Sequence, residues 1–326
     1  MTATEPITRE RLKVLYIVSG TRSGSTILDQ VLGELDGFFS SGELRFIWER
    51  GLLEDRTCGC GLPVRRCTVW GEVLATDLGE GPLGDRSPQE IVDALHRSVR
   101  VRHTWKILRR SPGDLAAKDP ALALCADVAD RLYRAVGKVT GARVIVDSSK
   151  NPSDAALLRL LPSVDPYFVH LVRDPRAVAY SWQRKRREPD REGQVEMPTW
   201  SLPKTVLNWD EVNVAAGAVR RKAGRRAILL RYQDFVLRPQ EAVRRIADLV
   251  GEHPNELPFS GERTVDLSTN HTVSGNPSRF RTGRVVLRED DEWIGAQSQA
   301  DRRLATVLTL PLLPGFGFPV RRAARA

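Results

Sequence analysis

Val14-Leu15-Tyr16-Ile17-Val18-Ser19-Gly20-Thr21-Arg22-Ser23-Gly24-Ser25-Thr26-Ile27-Leu28 is the stretch that decides the fold. An apolar, β-branched run gives way to glycines, hydroxyls and one arginine, and apolar residues then return at helical spacing. That order predicts a strand, a tight turn and a helix, with backbone N–H groups and hydroxyls gathered to hold an anion. A phosphate-bearing ligand is therefore expected at Gly20, Thr21, Arg22, Ser23, Gly24, Ser25 and Thr26.

Outward from this turn the same pattern repeats. Lys13 to Ser19, Ala142 to Asp147, Tyr167 to Arg173 and Arg226 to Tyr232 each read as a short apolar run ending in polar residues. Such runs suit parallel strands whose carboxyl ends face a site. Helical spacing follows each, over Thr26 to Leu35, Pro152 to Leu161, Pro175 to Lys185 and Arg238 to Leu249. Proline near the start of three of them fits the first helical turn, where its missing N–H costs nothing. Further helices are predicted over Ser87 to Arg100, Pro120 to Val136 and Ser201 to Lys222. Strand-then-helix repetition implies an α/β, P-loop-like three-layer sandwich, with a mostly parallel central sheet flanked by helices. A length of 326 residues and the lack of a long linker favour one domain over 1–326.

A net charge of +9 suits an anionic ligand without choosing among nucleotide, acidic cofactor and nucleic acid. No window is long and apolar enough to cross a bilayer, so a cytoplasmic protein is the default expectation. Cys58, Cys60 and Cys67 crowd one loop, and Cys125 stands apart. A structural metal needs four ligands, and His96, His103 or Cys125 could complete the set. A packed loop with thiols, or one local disulfide from Cys67, is the preferred reading, and no metal is assigned. The charged stretch Arg184-Lys185-Arg186-Arg187-Glu188-Pro189-Asp190-Arg191-Glu192 reads as a solvated helix end or, over 183–203, as a flap above an acidic ligand.

The anion loop is not that of ATP and GTP enzymes. In G-x-x-x-x-G-K-[ST] counted from Gly20, the second glycine and the lysine would stand where Ser25 and Thr26 are, and the cation comes early, at Arg22. No hydroxyl follows a lysine to hold magnesium, and G-x-G-x-x-G also fails. With Gly20 to Thr26 and the second segment Val172-Arg173-Asp174-Pro175-Arg176-Ala177-Val178-Ala179-Tyr180-Ser181, the chain resembles the sulfotransferases that use 3'-phosphoadenosine 5'-phosphosulfate (PAPS). The resemblance extends through Asp147-Ser148-Ser149-Lys150, Arg231-Tyr232-Gln233-Asp234-Phe235 and His271-Thr272-Val273-Ser274-Gly275-Asn276-Pro277, from about Arg11 to Phe318. It leans toward the bacterial, carbohydrate-type and tyrosylprotein-type branches.

The resemblance implies a 5'-phosphosulfate loop at Gly20 to Thr26 and a 3'-phosphate site at Arg173 and Ser181, with release of adenosine 3',5'-bisphosphate. An arginine at position 173 can fork onto a phosphate as lysine cannot; a salt bridge to Asp174 or to a neighbouring helix is the competing role. Gly275 and Asn276 form a plausible turn, and Arg279 and Arg281 could close over the nucleotide. The resemblance also implies a glutamate base in Ser41-Gly42-Glu43-Leu44-Arg45, making Glu43 the candidate, and puts Lys150 near the bridging oxygen. Arg22 and Lys150 are then the charges for the leaving phosphate. His170, inside a strand, reads as packed against a helix. No divalent metal is required.

Residues 43–71 read as an acceptor-side insertion, because they follow the proposed base. Arg45, Arg65 and Arg66 there would tolerate an acidic group, and Trp48, Trp70, Trp105, Trp182, Trp200 and Trp209 could line an apolar or sugar-stacking cleft. A small-molecule, glycolipid or carbohydrate hydroxyl, or less readily an amine, is the expected acceptor. The competing functions are an atypical ATP-dependent kinase, a basic nucleic-acid-binding module and a scaffold without chemistry. No zinc finger, RNP-like aromatic pair or recognition helix supports nucleic acid as a partner.

Overall fold

The computed structural model describes residues 11–76, 83–114, 119–184, 196, 198–289 and 291–320. Its centre is a five-stranded sheet of β1 (Leu12–Ser19), β2 (Phe38–Gly42), β3 (Val144–Lys150), β4 (Val164–Val172) and β5 (Ala227–Arg231). The strand order is β2-β3-β1-β4-β5, and every neighbouring pair is parallel. The most apolar strand is therefore the middle one. Val14, Tyr16 and Val18 of β1 face a core shared with helices Pro88–Ser98, Pro120–Thr140 and Pro152–Leu158. Leu15 and Ile17 face the other core, with helices α1 (Ser25–Gly33) and Pro239–Leu249. Both faces are covered, which makes the α/β three-layer sandwich read from the sequence the observed fold.

Chain direction changes at β1: the chain steps from β1 outward to β2, returns through β3, and then crosses to β4 on the other side of β1. The crevice at the carboxyl end of β1 is thus a switch point, the place where open α/β sheets bind ligands. Helix starts around it follow local rules. Asn151 caps Pro152–Leu158 through Ser153 N–H, Asp174 caps Pro175–Gln183 through Arg176 N–H, and Ser87 with Glu90 forms a capping box on Pro88–Ser98.

The sequence reading overlooks three strands. β2, Phe38-Phe39-Ser40-Ser41-Gly42, is too short and too polar at its end to register as an apolar run. Gly37 and Gly42, with φ of 76° and 71°, bracket it and were the available signal. β6 (Thr264–Leu267) and β7 (Gly283–Val286) form an antiparallel hairpin whose connection is itself a long site loop. Predicted ends shift by a few residues elsewhere: β3 begins at Val144 and runs on to Lys150, and α1 stops at Gly33. Residues 185–195 and 197, which hold most of the charged stretch considered as a flap, lie outside the described residues. Among the described residues, no helix is long and apolar enough to cross a membrane.

Candidate active site

The turn after β1 ends in Gly24, whose φ of 90° turns the chain into α1. Unlike the helices begun by Asn151 and Asp174, α1 has no side-chain cap and no acidic residue in its first turn. Its leading N–H groups are left for a ligand. A Cβ on Gly24 would lie 2.3 Å from two ring carbons of Tyr232, so only glycine admits that ring against the loop. Arg22 is one of three described non-glycine residues at positive φ (61°), and its guanidinium lies 5.2 Å from the Trp182 ring. Trp182 donates through Nε1 to Thr21 Oγ1 at 3.1 Å, and its ring stacks on Trp200 at 4.1 Å.

Arg173 ends up beside this loop because β4 pairs with β1. Its Nη1 donates to Arg22 O at 2.8 Å, and its guanidinium lies over Tyr232. The salt bridge considered for Arg173 with Asp174 does not form: Asp174 binds Arg176 instead, at 2.8 and 2.7 Å, wholly buried. Ser181, on the following helix, borders the same cavity.

On the other side of β1 a register shift in β3 opposite Tyr16 to Val18 turns Lys150 to φ 72°. Lys150 Nζ forms a close ion pair with Glu43 Oε1. Backbone strain of this kind at a charged residue concentrates at functional sites. Glu43 follows β2 directly; its N–H donates to Ser274 O at 3.1 Å, and Arg45 N–H donates to Ser149 Oγ at 2.9 Å. Arg50 approaches the second Glu43 oxygen at 3.6 Å. Burial pushes the Glu43 carboxyl up, but Lys150 and Arg50 outweigh it, so the group is held below the usual carboxylate range and is ionised.

The loop at 274–281 closes the ring from far along the chain. Asn276 N–H donates to Thr26 Oγ1 at 3.2 Å, and Gln30 of α1 donates to Arg279 O at 3.1 Å. One cavity of about 1060 Å³ joins all these parts. It is bordered by Thr21 to Thr26, Glu43, Lys150, Arg173, Ser181, Gly275, Asn276 and Arg281. Its described walls carry nine arginine and lysine side chains against a single carboxylate, Glu43. That imbalance, beside an uncapped helix start, suits a ligand with several negative charges.

Two site residues expected from the sequence lie off this cavity. Gly20 is buried behind the loop. Arg279 is fully buried, donating to Thr272 O at 2.8 Å and Thr57 O at 2.6 Å, and so clamps two loops together rather than closing over a ligand. Arg65 donates to Leu52 O and, like Arg66, stays outside the cavity; Arg45 borders it but is held by Asp154 at 2.6 Å. Of the tryptophans proposed for a cleft, Trp182 and Trp200 border the cavity, whereas Trp48 and Trp70 are core. His170 is buried against the helix Leu202–Ala223, with its Nε2 3.0 Å from Asn213 Oδ1.

Sequence reading missed Tyr232, Arg50 and the apolar wall of Val285 and Leu287. Tyr232 had a signal, since it directly follows β5 at the sheet's carboxyl edge. The wall had none, because it depends on the unread β6–β7 hairpin. All four cysteines are free thiols. The side chain that joins Cys58, Cys60 and Cys67 is His271, not His96, His103 or Cys125; the 270–274 segment runs against the cysteine loop, which no local pattern announces.

Comparison with solved structures places the fold. A sulfotransferase domain from the curacin biosynthetic pathway matches with a TM-score of 0.50 at 17% identity, over 95% of this chain and all (100%) of that one. A sulfotransferase from Alicyclobacillus acidocaldarius matches with a TM-score of 0.43 at 14% identity, over 97% of this chain and 100% of that one. No curated protein matches the chain. The sequence profile described as "Sulfotransferase family" matches residues 74–255, a span that includes Lys150, Arg173 and Ser181. With more than half its length matched and the sheet, anion loop and cationic cavity in place, the chain belongs to the sulfotransferase family.

Proposed function

We propose that the protein transfers the sulfuryl group of PAPS to a hydroxyl of a small-molecule, glycolipid or carbohydrate acceptor, releasing adenosine 3',5'-bisphosphate. Use of this donor is typical of the family. The observation that carries the reading is the single cavity in which the uncapped start of α1, Arg173 with Ser181, and the Glu43–Lys150 pair all meet. Its donor set is cationic, hydroxyl and backbone N–H, as a phosphosulfate with a separate 3'-phosphate requires.

In this reading Thr21 to Thr26 and Arg22 hold the 5' end, Arg173 and Ser181 the 3'-phosphate, and Gly275, Asn276 and Arg281 the rim. The bound donor supplies a sulfuryl group on an activated phosphate leaving group. Glu43, ionised by its cationic neighbours, accepts the proton of the acceptor hydroxyl as oxygen attacks sulfur. Lys150 and Arg22 balance the charge that the departing phosphate oxygen gains. Drawing Lys150 toward that oxygen relaxes its hold on Glu43, so donor binding strengthens the base. Within 43–71, Glu43, Arg45, Phe46, Arg50 and Arg56 border the acceptor, in a single domain. The arrangement of Glu43 after β2 favours the carbohydrate-type and tyrosylprotein-type branches.

Calorimetric titration with adenosine 3',5'-bisphosphate beside ADP, ATP and NAD tests the donor. Tight, magnesium-independent binding of the first alone is expected; preference for ATP with magnesium would reject the reading in favour of a kinase.

A further inference from the structure

Behind the acceptor-side wall, outside the cavity, lies a cluster with no part in the chemistry above. Cys58 and Cys67 are buried, Cys60 and His271 partly so, and one ligand-type atom from each lies within 4.8 Å of all the others. Cys67 Sγ is 3.2 Å from His271 Nδ1. Zinc held at about 2.3 Å by sulfur and about 2.0 Å by imidazole spaces tetrahedral ligand atoms roughly 3.5–3.8 Å apart, so a small contraction of this cluster closes around the ion.

The surroundings are built for thiolates. Cys58 and Cys60 sit on a tight turn, with Cys58 N–H donating to Leu62 O at 2.7 Å and Gly61 N–H donating to Cys58 O at 2.9 Å. The backbone N–H of Cys60 faces the Cys58 sulfur, and that of Trp70 faces the Cys67 sulfur. Cys67 also precedes the helix Thr68–Ala75, whose start favours a negative sulfur.

The fourth ligand is held as firmly as the other three. Trp70 Nε1 donates to His271 O at 2.6 Å, and Gly59 N–H donates to Thr272 O at 2.9 Å. A Cβ on Gly59 would lie 2.0 Å from Asn270 Oδ1, so glycine is what lets the cysteine turn reach the histidine segment. We propose that Cys58, Cys60, Cys67 and His271 bind one zinc ion in a closed, structural Cys3His site. Four protein ligands fill the tetrahedron and leave no position for a substrate or a reactive water. Three residues beyond His271, Ser274 accepts from Glu43 N–H and from Arg50, at 3.1 and 2.7 Å. The ion therefore pins the loop against which the acceptor side is built.

The test is metal content of the full chain, purified under reducing conditions from zinc-supplemented cells. One zinc per chain is expected, lost in Cys67→Ser and His271→Ala and kept in Cys125→Ser. His271→Cys, which restores a fourth ligand, should hold zinc again. Cobalt exchanged into the wild type should show thiolate charge-transfer and tetrahedral d–d bands, a readout that needs no variant to fold. A wild-type protein with intact thiols that carries no stoichiometric zinc and gives no cobalt bands overturns the proposal. So does full zinc retention by His271→Ala. Nucleotide titration is independent of these results, so failure of the zinc site and failure of the donor assignment are told apart.

Discussion

The two sides of the cavity are built by different means. On the proposed donor side, Thr21 to Thr26, Arg173 and Tyr232 each directly follow a strand of one parallel sheet, and strand pairing alone brings them together. On the proposed acceptor side, Glu43 and Lys150 also end strands, but what surrounds them is irregular: single turns at Leu44–Ile47 and Trp48–Leu53, the cysteine turn, and the loop at 270–281. Backbone bonds of long sequence separation hold it, such as Val273 N–H to Ser41 O at 3.0 Å. A site made of strand ends inherits the rigidity of the sheet. A site made of loops needs clamps, and Arg279, the Arg45–Asp154 pair and the proposed zinc supply them. Under the proposed reading, the strand-end half is the part that can stay fixed while the loops, and with them the acceptor, vary.

The largest expected effect tests the acceptor side. Glu43→Gln should lower turnover by roughly 10²–10⁴-fold, as loss of a general base does. Affinity for adenosine 3',5'-bisphosphate, read by calorimetry, should stay near that of the wild type. If turnover is unchanged, Glu43 only anchors Lys150. Arg22→Ala should cost about 2.7–4 kcal/mol in kcat, the loss seen when one donor leaves a preorganised anion site. Because Arg22 belongs to the donor side, steady-state kinetics with a saturating acceptor should show the full deficit. An effect confined to acceptor KM would break the division.

Gly24→Ala should follow, with about 1–2 kcal/mol for the left-handed backbone and a further cost for displacing Tyr232. Adding Tyr232→Ala should recover only the clash, so nucleotide affinity of the double variant should fall between those of the wild type and Gly24→Ala. Full recovery would mean that the backbone of the loop carries no strain.

The smallest effect on turnover is expected at His170, which shares β4 with the approach to Arg173 but points into the core. Burial, against the Asn213 bond, holds its pKa down at about 4. Between about 6.5 and 4 the unfolded chain binds a proton that the folded chain refuses, so stability falls as pH drops through that window. The loss is on the order of 3 kcal/mol. His170→Gln should flatten this acid limb in urea titrations while leaving kcat near wild type. An unchanged limb would show that the imidazole is charged in the folded protein.

Much of what borders the cavity was legible because its signals are local. The loop after β1 reads from composition, and Arg173 and Ser181 read from one strand–helix step. Arg279, expected at the ligand, is buried and donates to Thr272 O and Thr57 O, so it bridges two loops, a placement that depends on loop docking far along the chain. His271 was overlooked as a partner for the cysteines because more than 200 residues separate them, and only the docking of one loop on another brings them together.

Periodicity and turn chemistry act over a few residues, so the alternation of strand and helix and the glycine- and hydroxyl-rich turn between β1 and α1 were readable from the chain alone. Tertiary structure alone decided that Glu43 meets Lys150, that Tyr232 covers Gly24, and that three cysteines share a histidine. Those contacts depend on strand order, a register shift in β3 and loop-on-loop packing, and distance along the chain carries no record of them.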